Sequence, residues 1–207
     1  MGKNINNLTF WKRIAKFYTP LQERSNTSLY PLIVNACLPY LSTKANGLEL
    51  ACGTGQFSFL FSKHVALWTA TDYCDAMIKE ANKRKSKDAQ VLFEVQDATN
   101  LSYEDNTFDI VFIANALHVM PNPDACMKEI KRVLKKDGYA ILLTFVYEGK
   151  IPALRMKLLE SIGFHTYHKW NDQSYMKYCI NHDFDVVDHA LCKANPLPES
   201  LLILRKK

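Results

Sequence analysis

Residues 48–57 have the sequence LELACGTGQF, and this stretch decides the fold. An apolar run that carries one acid, Glu49, breaks into a turn at Gly53 and Gly55 and then resumes a pattern compatible with a helix. Glycine is needed where the backbone turns sharply or approaches a ligand without a Cβ in the way. The start of the following helix would present unpaired N–H groups and a partial positive charge to that turn. The pattern therefore predicts a ligand cradle at the carboxyl end of a parallel strand.

The acid within the strand distinguishes this turn from one that binds phosphate. A carboxylate at Glu49 would repel a pyrophosphate and attract a cationic amino group. The stretch resembles motif I of the class I S-adenosylmethionine-dependent methyltransferases, in which an acid precedes Gly-x-Gly-x-Gly beside the methionine part of the cofactor. Ala51 replaces the first glycine, and we expect this change to be mild because Gly53 and Gly55 keep the tight turn. The resemblance extends over about residues 45–147.

The length of 207 residues suits one substantial core, so we expect a single domain. Within it we place an N-terminal helical cover at residues 1–44, a cofactor-binding core at residues 45–150 and a C-terminal part at residues 151–207. The C-terminal part carries a small helical and aromatic insertion at about residues 164–183, whose role the sequence leaves open.

Composition and charge point away from several classes of protein. The net charge of +5 is modest, and the basic cluster at residues 83–87 lacks the interleaved aromatic residues of a nucleic-acid site. The six cysteines are scattered without a Cys-x-x-Cys pair, which suits a reducing compartment better than a disulfide framework. Neither a signal peptide nor an apolar stretch long enough to span a bilayer is evident, so we expect a cytoplasmic protein.

The chain alternates predicted strands and helices. Strands are predicted at residues 46–51, 65–71, 90–96, 108–114, 139–146, 184–193 and 200–205. Helices are predicted at residues 10–18, 29–40, 56–63, 75–85 and 124–135. Pro20 should end the first helix, a further helix should open at Pro152, and a short one should end near His182.

This order of elements predicts the fold class. Repeated βα units predict right-handed crossovers and a doubly wound, Rossmann-like α/β fold. The resemblance implies a seven-stranded sheet that is mostly parallel, with an antiparallel last strand. The two N-terminal helices precede the first strand, so they should pack onto the sheet as a cover.

Polar residues at the strand ends predict the ligand site, because the crevice of a doubly wound sheet lies at the carboxyl ends of its strands. The resemblance implies that Asp72 accepts hydrogen bonds from ribose hydroxyls and that Asp97, beside the Ala98 N–H, accepts one from the adenine amine. It also implies that Asn115 lies near the methionine moiety. Each acid taken alone could instead be a helix cap or turn former. The predicted cofactor-binding residues are Glu49, Ala51, Cys52, Gly53, Gly55, Asp72, Tyr73, Met77, Asp97, Ala98 and Asn115.

The implied cofactor predicts the reaction. The sulfonium methyl of S-adenosylmethionine is already a strong electrophile, so the protein need only hold a nucleophile in line with it and exclude water. The products would be a methylated small molecule and S-adenosylhomocysteine. His118 is the candidate base for an acceptor that must lose a proton, although a loop histidine bonded to backbone fits the same pattern. The predicted walls of the acceptor site are Tyr18, His118, Tyr147, Tyr167 and Trp170.

Three other functions compete with methyl transfer. An NAD(P)-dependent oxidoreductase would share the glycine turn and the acid at Asp72, but Ser58 stands where its third glycine belongs. A non-catalytic nucleoside-binding scaffold would keep the fold. A metalloenzyme could use His165 and His168 with residues 182–183, a ligand set that is incomplete.

The residues after the fourth predicted strand bear on the acceptor. The stretch at residues 115–118, Asn-Ala-Leu-His, differs from an Asn-Pro-Pro-Tyr motif, which argues against amino methylation of adenine or glutamine. A small molecule is therefore the expected acceptor, with a lipid or quinone-like compound as the default. We expect no nucleic-acid partner, and either a monomer or a homodimer.

Overall fold

The computed structural model describes residues 7–26, 29–147, 165–194 and 197–207, and its strands form one seven-stranded sheet. The strands are β1 Asn46–Leu50, β2 Leu67–Asp72, β3 Val91–Val95, β4 Phe108–Ala114, β5 Leu134–Phe145, β6 Phe184–Cys192 and β7 Glu199–Lys206. Their order is β3-β2-β1-β4-β5-β7-β6. Strands β1 to β5 pair in parallel, whereas β7 runs antiparallel to both β5 and β6. The predicted fold class is confirmed.

Six described helices accompany the sheet. They are α1 Leu8–Asn26, α2 Leu29–Cys37, α3 Ser58–Phe61, α4 Asp75–Arg84, α5 Pro123–Val133 and α6 Asp172–Asn181. Short 3₁₀ turns lie at Leu38–Tyr40 and Leu117–Val119. None of these helices combines the length and apolar character needed to cross a membrane. The helix predicted to open at Pro152 lies outside the described residues.

The apolar strand β4 shows why the sheet needs helices on both faces. Its residues Val111 and Ile113 belong to a core cluster with α5, whereas Ile110 and Phe112 belong to a second cluster with α2 and α3. Alternate side chains of a strand point to opposite faces, so a strand covered on both sides is apolar throughout. The carboxyl ends of the central strands are thereby held rigidly at one edge of the sheet.

Two predicted helix boundaries are wrong. We predicted that Pro20 ends the first helix, but α1 continues through it to Asn26. A proline removes one backbone hydrogen bond while its ring holds φ near the helical value, so a helix can pass through it at a cost. The helix predicted at residues 56–63 forms only the single turn of α3, Ser58–Phe61.

Strand β5 begins earlier than predicted, directly after α5. Phe108 pairs with Leu134, and the next partner of β4 is Tyr139, so residues 135–138 bulge out of the ladder. Gly138 permits this excursion, because a Cβ there would lie 2.6 Å from the carbonyl oxygen of Asp109. Regular pairing resumes at Tyr139, where the sequence pattern placed the start of the strand.

Candidate functional site

A cavity of about 600 Å³ lies at the carboxyl ends of β1, β2, β3 and β4, and we call it the strand-end cavity. Its volume lies within the range of roughly 300–1,000 Å³ typical of small-molecule sites. Nine of the residues predicted for the cofactor or acceptor line it: Tyr18, Ala51, Gly53, Asp72, Tyr73, Met77, Asp97, Ala98 and Asn115. The remaining predicted residues do not: Glu49, Cys52, Gly55, His118, Tyr147, Tyr167 and Trp170.

The turn after β1 consists of backbone in left-handed conformations. The φ angles are 53° at Ala51, 55° at Gly53 and 84° at Gly55. Glycine accepts such angles readily, whereas alanine is strained by them. The expectation that alanine is a mild change at position 51 is therefore wrong for the backbone. Gly55 is also tightly packed, because a Cβ there would lie 3.0 Å from the Phe93 ring.

Glu49 supports this turn from behind and does not face the cavity. Its side chain is only 2% exposed, and its Oε2 accepts hydrogen bonds from Ser58 Oγ at 2.6 Å and from Trp68 Nε1 at 2.7 Å. Burial raises the pKa of Glu49 to about 7, and the two donors oppose that rise. The carboxyl group thus joins β1, β2 and α3 beneath the turn. In the same way the Cys52 N–H donates to the Thr71 carbonyl at 2.8 Å.

Asp72 ends β2 and faces the strand-end cavity. One carboxylate oxygen accepts from the Gly53 N–H at 2.9 Å and the other from the Cys74 N–H at 2.8 Å. Burial raises the pKa of Asp72 to about 6, while both donors lower it. Each carboxylate oxygen has a further lone pair, so the group can still accept hydrogen bonds from a ligand.

Asp97 follows β3 and lies farther along the same edge. Its Oδ1 accepts from the Thr99 N–H at 2.9 Å and from Thr99 Oγ1 at 2.7 Å. No described residue donates to its Oδ2, so that oxygen remains available to a ligand at the cavity wall. Met77 of α4 is 2% exposed and also lines the cavity, so it serves both as core and as lining.

Helix α1 covers the cavity, and residues that the sequence analysis missed hold it there. Asn7 donates through Nδ2 to the carbonyls of Val119, at 3.1 Å, and His165, at 3.0 Å, and its Oδ1 accepts from the His165 N–H. Thr19 Oγ1 lies 2.7 Å from Thr54 Oγ1, which ties the helix to the glycine turn. Asn7 and Trp11 both line the cavity. No sequence motif marks them, since their partners lie far along the chain.

Apart from Tyr18, the residues predicted as acceptor walls lie outside the lining of the cavity. His118 is 4% exposed, with Nδ1 at 3.1 Å from Thr144 Oγ1, and burial lowers its pKa to about 4. The Tyr147 N–H donates to the Trp170 carbonyl at 2.8 Å, and the Trp170 ring stacks on His168 at 5.2 Å. These contacts attach residues 165–170 to the loops beside the cavity. His118 itself does not line the strand-end cavity.

Of the histidines considered as metal ligands, His182 is engaged elsewhere. His182 Nδ1 lies 2.8 Å from the Tyr178 carbonyl, and its Nε2 lies 3.3 Å from Asp124. Across the part of the chain that the structure describes, no three His, Cys, Asp or Glu side chains are grouped to hold a metal ion. The metalloenzyme hypothesis receives no support from this arrangement.

A doubly wound sheet with two acids and a glycine turn at its strand ends defines a nucleoside-binding class of protein. Comparison with known proteins narrows that class, since residues 48–142 match the family model described as a methyltransferase domain. The ubiquinone/menaquinone biosynthesis C-methyltransferase UbiE of Bdellovibrio bacteriovorus is 35% identical over 140 residues, which cover 65% of this chain and 60% of that enzyme. The chain thus spans less than two thirds of this relative.

Solved structures agree on the fold. A chain from the complex between the Haloferax volcanii Trm112 methyltransferase activator and a methyltransferase superposes with a TM-score of 0.77 at 14% identity, covering 94% of this chain and 96% of its own. The [4+2]-cyclase SpnF superposes with a TM-score of 0.69 at 19% identity, covering 86% of this chain and 80% of its own. The family match over residues 48–142, the motif and the fold support a class I S-adenosylmethionine-dependent methyltransferase. The cyclase shows that this fold alone does not fix the reaction.

Proposed function

We propose that this protein transfers the methyl group of S-adenosylmethionine to a small-molecule acceptor. The observation that carries the proposal is the strand-end cavity, where Asp72, Asp97 and the Ala51–Gly55 turn converge in a chain whose residues 48–142 match a methyltransferase domain. An oxidoreductase would need the turn to hold a pyrophosphate, but the buried carboxyl group of Glu49 lies directly behind this turn.

The residues present fit the cofactor. Asp72 has lone pairs for two ribose hydroxyls, and Asp97 keeps Oδ2 for the adenine amine. Met77 offers a polarisable surface for the base. When bound, S-adenosylmethionine supplies an electrophilic methyl on a sulfonium centre. The chain's own contribution is to bind, orient and exclude water, which is sufficient for an in-line displacement.

The acceptor would occupy the part of the cavity under α1. The side chains there are mainly apolar or aromatic: Leu8, Trp11, Val119, Met120 and Pro121. Such a lining favours a flat, largely apolar molecule over a charged one. The similarity to a ubiquinone/menaquinone biosynthesis C-methyltransferase supports an aromatic, quinol-like acceptor. None of those five side chains titrates near neutral pH, so the acceptor should bring an activated nucleophile, such as the ionised ring of a hydroquinone.

Calorimetry with S-adenosylmethionine and S-adenosylhomocysteine tests the cofactor assignment. We expect micromolar binding to the wild type and a loss of about tenfold or more, about 1.4 kcal/mol, for Asp72→Ala. Asp75→Ala is the matched control, because Asp75 is an exposed partner of Lys12 outside the cavity lining. A folded wild type that binds neither ligand, or that binds NAD instead, would refute the proposal.

The acceptor assignment needs a turnover assay. Formation of S-adenosylhomocysteine would be followed with reduced and oxidised short-chain naphthoquinones, phenols and amines at pH 7 and pH 9. We expect turnover with the reduced quinones and none with the oxidised ones, because a quinone ring becomes nucleophilic only when it is reduced. Turnover confined to amines would show that the aromatic-acceptor hypothesis is wrong while leaving methyl transfer intact.

A further inference from the structure

A buried carboxyl group lies behind the cavity wall, in the last strand of the sheet. Glu199 begins β7, is 2% exposed, and does not line the strand-end cavity. It pairs with Phe145 of β5 on one side and with Cys192 of β6 on the other. Among the described residues its one hydrogen-bond donor is Asn115 Nδ2, at 3.1 Å. A carboxyl group is costly to bury with one partner, so its position needs a reason.

Asn115 connects this carboxyl group to the cavity. It follows β4, lines the cavity, and its backbone is in a left-handed conformation with a φ of 51°. That conformation is held by the Asn115 N–H, which donates to the Leu143 carbonyl at 2.8 Å. The side-chain Oδ1 is buried and accepts no hydrogen bond from the described residues. The Asn115 amide therefore donates one N–H to Glu199, while its oxygen remains unfilled.

The carboxylate decides which way the amide points. An ionised carboxylate can only accept hydrogen bonds, so the NH₂ group must face Glu199 and the oxygen must face away from it. The rejected orientation would place the amide oxygen against a carboxylate oxygen. Donation by Asn115 favours the ionised form of Glu199, whereas burial raises its pKa to about 7. The hydrogen bond from Asn115 thus partly offsets the effect of burial on this carboxyl group.

The strand order indicates which part of a ligand meets Asn115. Along the edge from β3 to β4 come Asp97, then Asp72, then the glycine turn, then Asn115. If the two acids take the nucleoside, the other end of the ligand lies at β4. In S-adenosylmethionine that end is the amino-acid group, which carries an ammonium cation.

We propose that Glu199 is a positioning residue that orients the Asn115 amide, so that Asn115 Oδ1 accepts from the ammonium group of the cofactor. The inference rests on the proposed function. It gives a role in cofactor binding to a residue of β7, which lies outside the glycine motif. The buried negative charge behind the amide also favours a cation in front of it, because screening is weak away from water.

The test compares two ligands that differ only at the amino-acid end. Calorimetry would measure S-adenosylhomocysteine, which has the whole amino-acid group, and methylthioadenosine, which lacks both its ammonium and its carboxylate. The proteins are the wild type, Glu199→Gln, Asn115→Ala and the double variant. Glu199→Gln keeps the shape of the side chain and removes a buried charge, so it should fold, and thermal unfolding would verify this.

Glu199→Gln should weaken S-adenosylhomocysteine binding about tenfold and leave methylthioadenosine within about twofold. In the Asn115→Ala background, the same substitution should have no further effect, because Glu199 acts through that amide. Unchanged S-adenosylhomocysteine affinity, equal losses for both ligands, or additive effects in the double variant would each overturn the inference. A wild type that binds neither ligand would instead refute the proposed cofactor, so the two failures are distinguishable.

Discussion

Ala51→Gly should stabilise the protein, although it removes a side-chain atom from a partly buried position. A non-glycine residue in the left-handed region costs roughly 1–2 kcal/mol, and Ala51 has a φ of 53°. Against this, glycine lowers the free energy of unfolding by roughly 0.4–1 kcal/mol, because it gives the unfolded chain more conformational freedom. The half-buried methyl group contributes a few tenths of a kcal/mol, about half the value of a fully buried methylene. The net expectation is a gain of about 0.5 kcal/mol in the free energy of unfolding.

Urea unfolding would measure this gain, and a thermal midpoint higher by about 1–2 °C would accompany it. The matched control is Ala76→Gly, the same chemical change at a partly buried position in helix α4. There glycine should cost about 1 kcal/mol, because the backbone is helical and gains nothing from the substitution. The two variants should therefore move the midpoint in opposite directions. If Ala51→Gly destabilises the protein as much as Ala76→Gly does, the account of strain in the turn is wrong.

Three further substitutions test the supports of the site. Burial raises the pKa of Glu49 from 4.5 to about 7, so the folded state binds a proton at this carboxyl group more tightly than the unfolded state does. Lowering the pH from 8 to 5 should therefore stabilise the wild type relative to Glu49→Gln by up to about 3 kcal/mol. Urea midpoints of the two proteins that change in parallel with pH would contradict this. Gly55→Ala should lower the free energy of unfolding by about 2 kcal/mol or more, and by more than Gly53→Ala does. The new Cβ would lie 3.0 Å from the Phe93 ring at position 55, but 3.4 Å from the Tyr18 ring at position 53. Asn7→Ala breaks three hydrogen bonds and should cost about 1–3 kcal/mol in urea unfolding, whereas Thr9→Ala, at an exposed position of α1, should be near neutral.

The sheet and the position of the cavity could be predicted because both depend on local patterns. Apolar runs punctuated by glycine and aspartate define strands that end at one edge, and the rules of α/β topology bring those ends together. Asp72 and Asp97 were therefore placed at the cavity by their order along the chain. The early start of β5 was missed because a bulge of residues 135–138 has no periodic signal.

The roles of buried polar side chains could not be predicted, because they depend on partners distant in the sequence. Glu49 was expected beside the ligand, yet Trp68, 19 residues further on, takes its carboxylate into the core. Asn115 and Glu199 are 84 residues apart, and only the antiparallel addition of β7 to β5 brings them together. A local motif predicts where a backbone turns. The orientation of a buried carboxyl group depends instead on which hydrogen-bond donors lie near it in the folded sheet. The residues that shape this site electrostatically therefore include one that lies entirely outside the family motif.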